Sequence, residues 1–319
     1  MEGRSPAFHR ALPKGGFTSS DRRLAPRISK KSEPAERTEI RSLCAPWCKP
    51  SPQLHFVFTA AEPVVWCVVR SSRTDEMAAK PLAGQVALVT GAGKRIGRSI
   101  ALRLAADGAN VAVNYNTSAA DASTVLSAIG ELGRKAVAIQ ADVSKRREVA
   151  NLLATVEREF GRLDLLVNNA GVFFPARFEE LTDDEWDRVM NANLRSQFLC
   201  SQAAAPVMKR QGRGRIINIS SLGGLLPWPS FTHYCVSKAG SIMLTRCLAR
   251  ALAPEILVNS VAPGTIQFPG ELPDEEYIRR VPLHRTGRGD DIAAAVAYLA
   301  TADFVTGQIV AVDGGRTLV

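Results

Sequence analysis

Tyr234 and Lys238 stand four positions apart in a stretch that reads as helix, so phenol and ammonium share one face. A free phenol titrates near ~10. A neighbouring ammonium favours the phenolate and lowers that value, which suits the pair to giving or taking a proton at a reacting oxygen. A second signal is glycine-rich. Thr90-Gly91-Ala92-Gly93-Lys94-Arg95-Ile96-Gly97 follows one apolar run and opens a helical one. Gly91 allows a tight turn there, and Gly97 lets helix and strand approach. The helix N-terminus offers free N–H groups and positive charge to a phosphate. Cys44 and Cys48 form a lone C-x3-C with no second ligand pair, so no metal site is expected. His233 adjoins Tyr234 but is aimed elsewhere by the helix, and reads as a surface or subunit-contact histidine.

These residues need a frame that brings them together. From residue 85 short apolar runs alternate with amphipathic stretches. Strands are predicted at Val86–Thr90, Asn110–Asn114, Lys135–Gln140, Leu163–Val167, Arg215–Ser220, Leu257–Val261 and Gln308–Val312. Helices are predicted near Arg95–Asp107, Ala119–Leu132, Lys145–Phe160, Asp183–Gln211, His233–Ala253 and Asp290–Ala300. Continuous Val/Ile/Leu strands between helices mean a parallel sheet covered on both faces. The expected fold is α/β: a single Rossmann-type, doubly wound, seven-stranded parallel sheet with right-handed crossovers and helices on both faces. Ligands bind such sheets at the carboxyl ends of the strands, where the motifs above should collect.

The chain has 319 residues and a net charge of +9. Residues 1–76 carry net +5 and residues 77–319 net +4. The first stretch is Arg-, Ser- and Pro-rich and is expected to be a disordered extension or a mis-called start ahead of Met77; residues 77–319 are expected to form one catalytic domain. No Lys/Arg cluster interleaved with aromatics appears in the remainder, which argues against nucleic acid as a partner. No apolar run reaches the ~20 residues of a membrane span. The six cysteines form no paired framework, consistent with free thiols and a cytoplasmic location.

From about residue 82 onward the chain resembles the short-chain dehydrogenase/reductase family, whose fingerprint is T-G-x-x-x-G-x-G. Here the middle glycine is Arg95. In the family's pteridine-reductase branch that position is an arginine reaching the cofactor phosphates, and the resemblance implies that role for Arg95. Asn169-Ala170-Gly171, after Asn168, match the family's N-N-A-G, and Asp142-Val143 resemble its adenine contact, with helix capping by Asp142 as the competing reading. Pro263-Gly264 match the turn beside the nicotinamide, where the backbone of Ile266 stands in for the family's usual threonine. The second strand ends Asn114-Tyr115-Asn116-Thr117-Ser118, without the Asp or Glu that a free ribose 2′-hydroxyl wants. Asn116, Thr117 and Ser118, with Lys94 and Arg95, would instead welcome a 2′-phosphate, so the cofactor expected is NADP(H). Ser221 lies 13 positions before Tyr234, the family's spacing, and Asn193 matches its helix asparagine. The resemblance implies a catalytic set of Asn193, Ser221, Tyr234 and Lys238. Tyr234 gives the proton, Ser221 orients the substrate oxygen, Lys238 also holds the nicotinamide ribose, and Asn193 links Lys238 to solvent through a water.

Two branches compete for the substrate. Ser221 favours the 3-oxoacyl-acyl-carrier-protein reductases, because many pteridine reductases carry Asp there. Arg95, an aromatic Phe173 able to stack on a flat heterocycle, the short segment Glu275-Glu276-Tyr277-Ile278-Arg279-Arg280-Val281-Pro282-Leu283 and the C-terminal segment favour a pteridine reductase. The reading leans to the latter, with a small-molecule substrate. Trp228, Phe231 and Phe268, with Phe173, are expected to line its pocket, although Phe173 and Phe174 also fit as plain core or wall residues. Acyl-carrier protein enters as a partner only on the alternative, with Arg177, Arg195 and Arg213 as a basic mouth. A non-catalytic dinucleotide-binding protein is the remote reading. The family implies a homotetramer or homodimer, and no membrane partner is expected.

Overall fold

The structure, a computed structural model, describes residues 80–319. The extension expected over residues 1–76, the start at Met77 and Cys44, Cys48 and Cys67 lie outside the described residues. Seven strands form one parallel sheet in the order β3-β2-β1-β4-β5-β6-β7. They are β1 (Val86–Val89), β2 (Asn110–Tyr115), β3 (Ala136–Gln140), β4 (Leu165–Asn168), β5 (Gly214–Ile219), β6 (Ile256–Pro263) and β7 (Ile309–Val312). The order reverses between β1 and β4, which places the ligand crevice beside the glycine-rich turn. The expected fold is the one observed, and strand limits move by only a residue or two. The fourth strand starts at Leu165 rather than Leu163, for example.

Strand alternation explains the two helical layers. Ala87, Val89, Leu165 and Val167 face one core, packed by Ile100 and Leu104 of α1 (Arg95–Ala106), Val125 and Ile129 of α2 (Ala119–Glu131), and Ile292 and Val296 of α8 (Gly289–Thr301). Val86, Leu88 and Leu166 face the other, packed by Leu152 and Val156 of α3 (Arg146–Phe160) and by Leu199 and Met208 of α5 (Ser196–Arg210). The long helix α6 (Thr232–Leu252) lies beside α5 on this second face.

One expected helix is not continuous. Asp183–Gln211 divides into α4 (Asp183–Met190), a π-helical turn (Asn191–Arg195) and α5. Thr182 and Glu185 cap α4 reciprocally. The wide turn carries Asn193, whose side chain is fully buried and turned inward. Such single-turn expansions are common at functional sites. A short helix, α7 (Glu275–Arg280), was not foreseen; six residues are too few to show a period. No described helix is long and apolar enough to cross a membrane.

Thr90 ties the end of β1 to the loop after β4. Its Oγ1 accepts from the N–H groups of Asn169 (2.9 Å) and Ala170 (3.0 Å) and donates to the Val167 carbonyl (3.4 Å). Thr90→Val would leave two part-buried N–H groups without an acceptor. It should lower stability by about 1–3 kcal/mol, whereas Thr90→Ser should lose much less. Chemical denaturation of the two variants checks this; equal losses would mean that the hydroxyl does not matter.

Candidate active site

A cleft of about 1060 Å³ opens over the carboxyl ends of the strands. It is lined by every residue predicted for cofactor, substrate or chemistry except Asn193 and Phe231. Asn193 is buried beneath its floor, and Phe231 stacks behind Phe173.

The glycine-rich turn forms one wall. Gly91 has φ +62°, and a Cβ there would lie 3.1 Å from the Ala170 Cα. A Cβ on Gly97 would come within 2.3 Å of the Gly91 carbonyl oxygen and 2.6 Å of Asn169 Nδ2, so helix and turn meet only because both residues are glycine. Asn169 Nδ2 donates to the carbonyls of Thr90 (2.9 Å) and Gly91 (3.1 Å). Asn114 accepts from the Gly91 N–H (3.2 Å) and donates to the Ala141 carbonyl (3.1 Å), fastening the turn to β2 and the end of β3. The cradle fits a dinucleotide: backbone comes close on both sides, and Asn116, Thr117 and Ser118 at the β2 end bring no carboxylate.

Arg95 has φ +53°, the left-handed backbone a glycine adopts freely. Its guanidinium pairs with Glu271 and lies 4.3 Å over the Phe268 ring. It therefore reaches across to the segment after β6, although it still lines the cleft beside exposed Lys94 and half-buried Ile96. The Arg95 hydrogen bond, aided by the Phe268 N–H, holds the Glu271 carboxyl below the usual range. Phe268 thus belongs to the arginine, away from the group formed by Trp228 and Phe231.

Asp142 lines the cleft and closes a local turn with Ser144; the helix that follows is capped at Lys145 without a side-chain bond from Asp142. Its Oδ1 accepts from the Ser144 N–H (3.0 Å) and hydroxyl (2.7 Å), with Lys145 3.4 Å from its other oxygen. Burial raises its pKa, but Ser144 and Lys145 outweigh this and leave it lowered. Val143 beside it is buried in the cleft wall. At the far side Gly264 donates to the Val312 carbonyl (3.0 Å), following Pro263 at the end of β6. Ile266 bridges to Gly287 through the backbone of its neighbours Thr265 and Gln267, which leaves its own N–H and C=O outside the bridge. Tyr277 of the E-E-Y segment donates to the Asp313 carbonyl (2.9 Å). Its side chain therefore serves to dock α7 onto the sheet end.

The proton-transfer group sits at the ends of β4 and β5. Lys238 is 4% exposed, and its ammonium donates to the Ile219 carbonyl at 2.9 Å. Burial brings its pKa down to about 8. The Tyr234 ring centroid lies 5.7 Å from that ammonium. Burial pushes the phenol up to about 12, against a hydrogen bond from Ser221 that lowers it. Burial outweighs the Ser221 bond here; the lower phenol expected from the sequence counts the charge of an oxidised nicotinamide together with Lys238. Ser221 Oγ also accepts from the Gly223 N–H (3.0 Å). Ser220 faces the other way, donating to the Val261 carbonyl (3.1 Å), as strand alternation requires.

Asn193 Oδ1 accepts from the Val172 N–H (2.7 Å), and Nδ2 donates to the Val172 carbonyl (3.0 Å) and Ser237 Oγ (3.1 Å). Its side chain clamps the loop after β4 onto α6. One turn along both helices Ser241 Oγ donates to Gln197 Oε1 (2.6 Å), while Gln197 Nε2 reaches the Ile219 carbonyl (3.4 Å) that also holds Lys238. Sequence reading missed Ser237, Gln197 and Ser241. The clue was polar residues spaced four apart on two helices otherwise expected to be apolar. His233 is not on the surface: it is 0% exposed, tilted against Phe174 at 4.9 Å, with no partner among the described residues for either ring nitrogen. Burial lowers its pKa, although Glu185 opposes this.

Phe173 is 57% exposed. One face stacks on Phe231 (4.6 Å, 2° between planes), and it meets Tyr234 edge-on at 4.7 Å. Trp228 lies parallel to Tyr234 at 6.1 Å. Phe173 is thus a wall residue with one face already taken. Among the described residues no group of three acidic, His or Cys side chains could hold a metal.

The family model for enoyl-(acyl carrier protein) reductases matches residues 91–317. A 3-oxoacyl-(acyl-carrier-protein) reductase of Staphylococcus aureus is 45% identical over 237 residues, 72% of this chain and 96% of the relative. One from Synechocystis sp. is 40% identical over 243 residues, 74% of this chain and 98% of the relative. Among solved structures, a double mutant of a Serratia marcescens short-chain dehydrogenase/reductase is 39% identical with a TM-score of 0.71, covering 74% of this chain and 99% of that one. The lean toward pteridine reductases finds no support in these relatives.

A folded value of about 8 against the ordinary 10.5 means that the Lys238 ammonium costs stability below pH 8, and that the cost fades as pH rises toward 10.5. Lys238→Met should therefore abolish turnover yet raise the melting temperature at pH 7. The gain should be on the order of 3 kcal/mol at most and should shrink as the pH is raised. Calorimetry across pH checks this; a gain that grows with pH would contradict the assignment.

Proposed function

The chain belongs to the short-chain dehydrogenase/reductase family, oxidoreductases of C=O and CH–OH groups that use a nicotinamide dinucleotide, and on that premise we propose that it is an NADPH-dependent 3-oxoacyl thioester reductase. The observation that carries the substrate reading is Ser221, a hydroxyl that lines the cleft with Tyr234 and acts on the phenol's pKa: two neutral donors side by side suit a ketone oxygen. The identity to two 3-oxoacyl-(acyl-carrier-protein) reductases supports it. So does Phe173, whose stack on Phe231 leaves it one face fewer for a flat heterocycle. Acyl-carrier protein is then the expected donor of substrate. Preference for the 2′-phosphate rests on Asn116, Thr117 and Ser118, which bring no carboxylate, with Lys94 beside them.

The dinucleotide, when bound, supplies the hydride; Gly91, Gly97, Ala170, Gly171, Gly264 and the backbone of Ile266 would hold it. Ser221 donates to the ketone oxygen and fixes it beside Tyr234. Tyr234 gives its phenolic proton to that oxygen as negative charge develops there. The phenol is well suited to hold that proton until then, because burial keeps it protonated. Lys238 stabilises the phenolate left behind, and Asn193 keeps the loop after β4 in place. Exposed Phe198, Val236 and Met243 on α5 and α6 fit a homotetramer or homodimer that covers those helices.

The full chain should oxidise NADPH with an acetoacetyl thioester much faster than with dihydrobiopterin, and NADH should substitute poorly. Tyr234→Phe should cut turnover by at least about a hundredfold while NADPH binding persists. Faster oxidation with the pterin would overturn the substrate reading.

A further inference from the structure

Four cations line the cleft, Lys94, Arg95, Arg188 and Lys238, against one carboxylate, Asp142. Three of the cations have evident business. Lys238 rests on the Ile219 carbonyl, Arg95 on Glu271, and Lys94 stands at the glycine-rich turn. Asp142 is taken up by Ser144 and Lys145. Arg188 is different. No carboxylate among the described residues lies within ion-pairing distance of it. Glu185, one turn before it on α4, is engaged with the N–H and hydroxyl of Thr182.

Arg188 is nonetheless held in place. Its guanidinium lies 5.3 Å over the Phe174 ring, and Phe174 packs on His233 at 4.9 Å. His233 directly precedes Tyr234, and Phe173, beside Phe174, touches the Tyr234 ring. These contacts hold an exposed cation in the lining of the same cleft as the proton donor. A guanidinium held over a ring face by its carbon can still offer N–H groups to two oxygens of a phosphate.

We propose that Arg188 is a substrate-specificity residue that binds the phosphate of a phosphopantetheine-type arm as the thioester threads past Phe173 to Tyr234. This rests on the thioester reading above. A neutral ketone would find the same serine and tyrosine but nothing for Arg188 to bind. Half-buried Phe174 in turn leans on buried His233, whose ring meets it at a tilt of 57° and has no hydrogen-bond partner among the described residues.

The test compares acetoacetyl-CoA with acetoacetyl-N-acetylcysteamine, the same thioester without phosphates, on the full chain. Arg188→Gln should raise KM for the CoA ester about tenfold, with kcat, KM for the neutral ester and the NADPH dissociation constant all within about twofold. Arg188→Lys should recover part of the loss, since a lysine keeps the charge but not the fork. An equal rise for both esters, a weakened NADPH, or no change at all would overturn the proposal. If the wild type reduces neither ester, the thioester reading itself falls. Binding of 4′-phosphopantetheine to the NADP+-loaded protein by calorimetry then decides the anion site: loss in Arg188→Gln upholds it, and identical binding or none by the wild type sinks it.

Discussion

A buried ammonium must be given an acceptor, and the arrangement of this site follows from how Lys238 gets one. Its Nζ reaches the Ile219 carbonyl at the end of β5, and that carbonyl is available because the chain leaves the sheet there. Buried polar side chains flank it in a place where packing alone would favour apolar ones. Gln197 and Ser241 make one rung between α5 and α6, and Asn193 and Ser237 make another. Both rungs span the helix pair at intervals of four residues, so the two helices are held in register along the flank of the lysine. A slip of one residue between them would break both rungs together and leave buried polar groups unpaired.

The same constraint explains the state of Tyr234. Phenol and ammonium are both withdrawn from water, so burial raises one pKa and lowers the other. Each group is moved toward its neutral form. The protein's own groups thus favour a phenol that holds its proton, which is the form a reduction consumes. An oxidised nicotinamide beside the ring would add to the Lys238 ammonium a second positive charge that favours phenolate.

At the other wall the constraint is backbone geometry. The turn between β1 and α1 needs close approach at Gly97 and left-handed backbone at residue 95. An arginine occupies the second of these. Its pairing with Glu271 and stacking on Phe268 draw the segment after β6 toward the turn. The position shaped by sterics in relatives with glycine thereby becomes a link across the cleft. Phe268 is drawn into that link, which is why it does not join Trp228 and Phe231 although all three read alike as pocket aromatics.

The sheet, its order of elements and the residues at its strand ends were legible in the sequence. Apolar runs of strand length between amphipathic stretches leave a parallel, doubly covered sheet as the way to bury both faces. The interval from Ser221 to Tyr234 and the Tyr234–Lys238 spacing carried the chemistry, because strand alternation and helical pitch are local rules. What depended on contacts between distant segments was not legible. The π-helical turn at Asn193 forms because its side chain finds Val172 and Ser237, residues 21 and 44 positions away. Arg95 turns to Glu271, 176 positions on, and Phe173 gives up a face to Phe231. His233 is buried because Phe174 covers it. The sequence by itself determined which groups could move a proton and where a dinucleotide could rest. Only the tertiary structure decided their protonation and their neighbours, because desolvation and side-chain pairing belong to the folded chain as a whole.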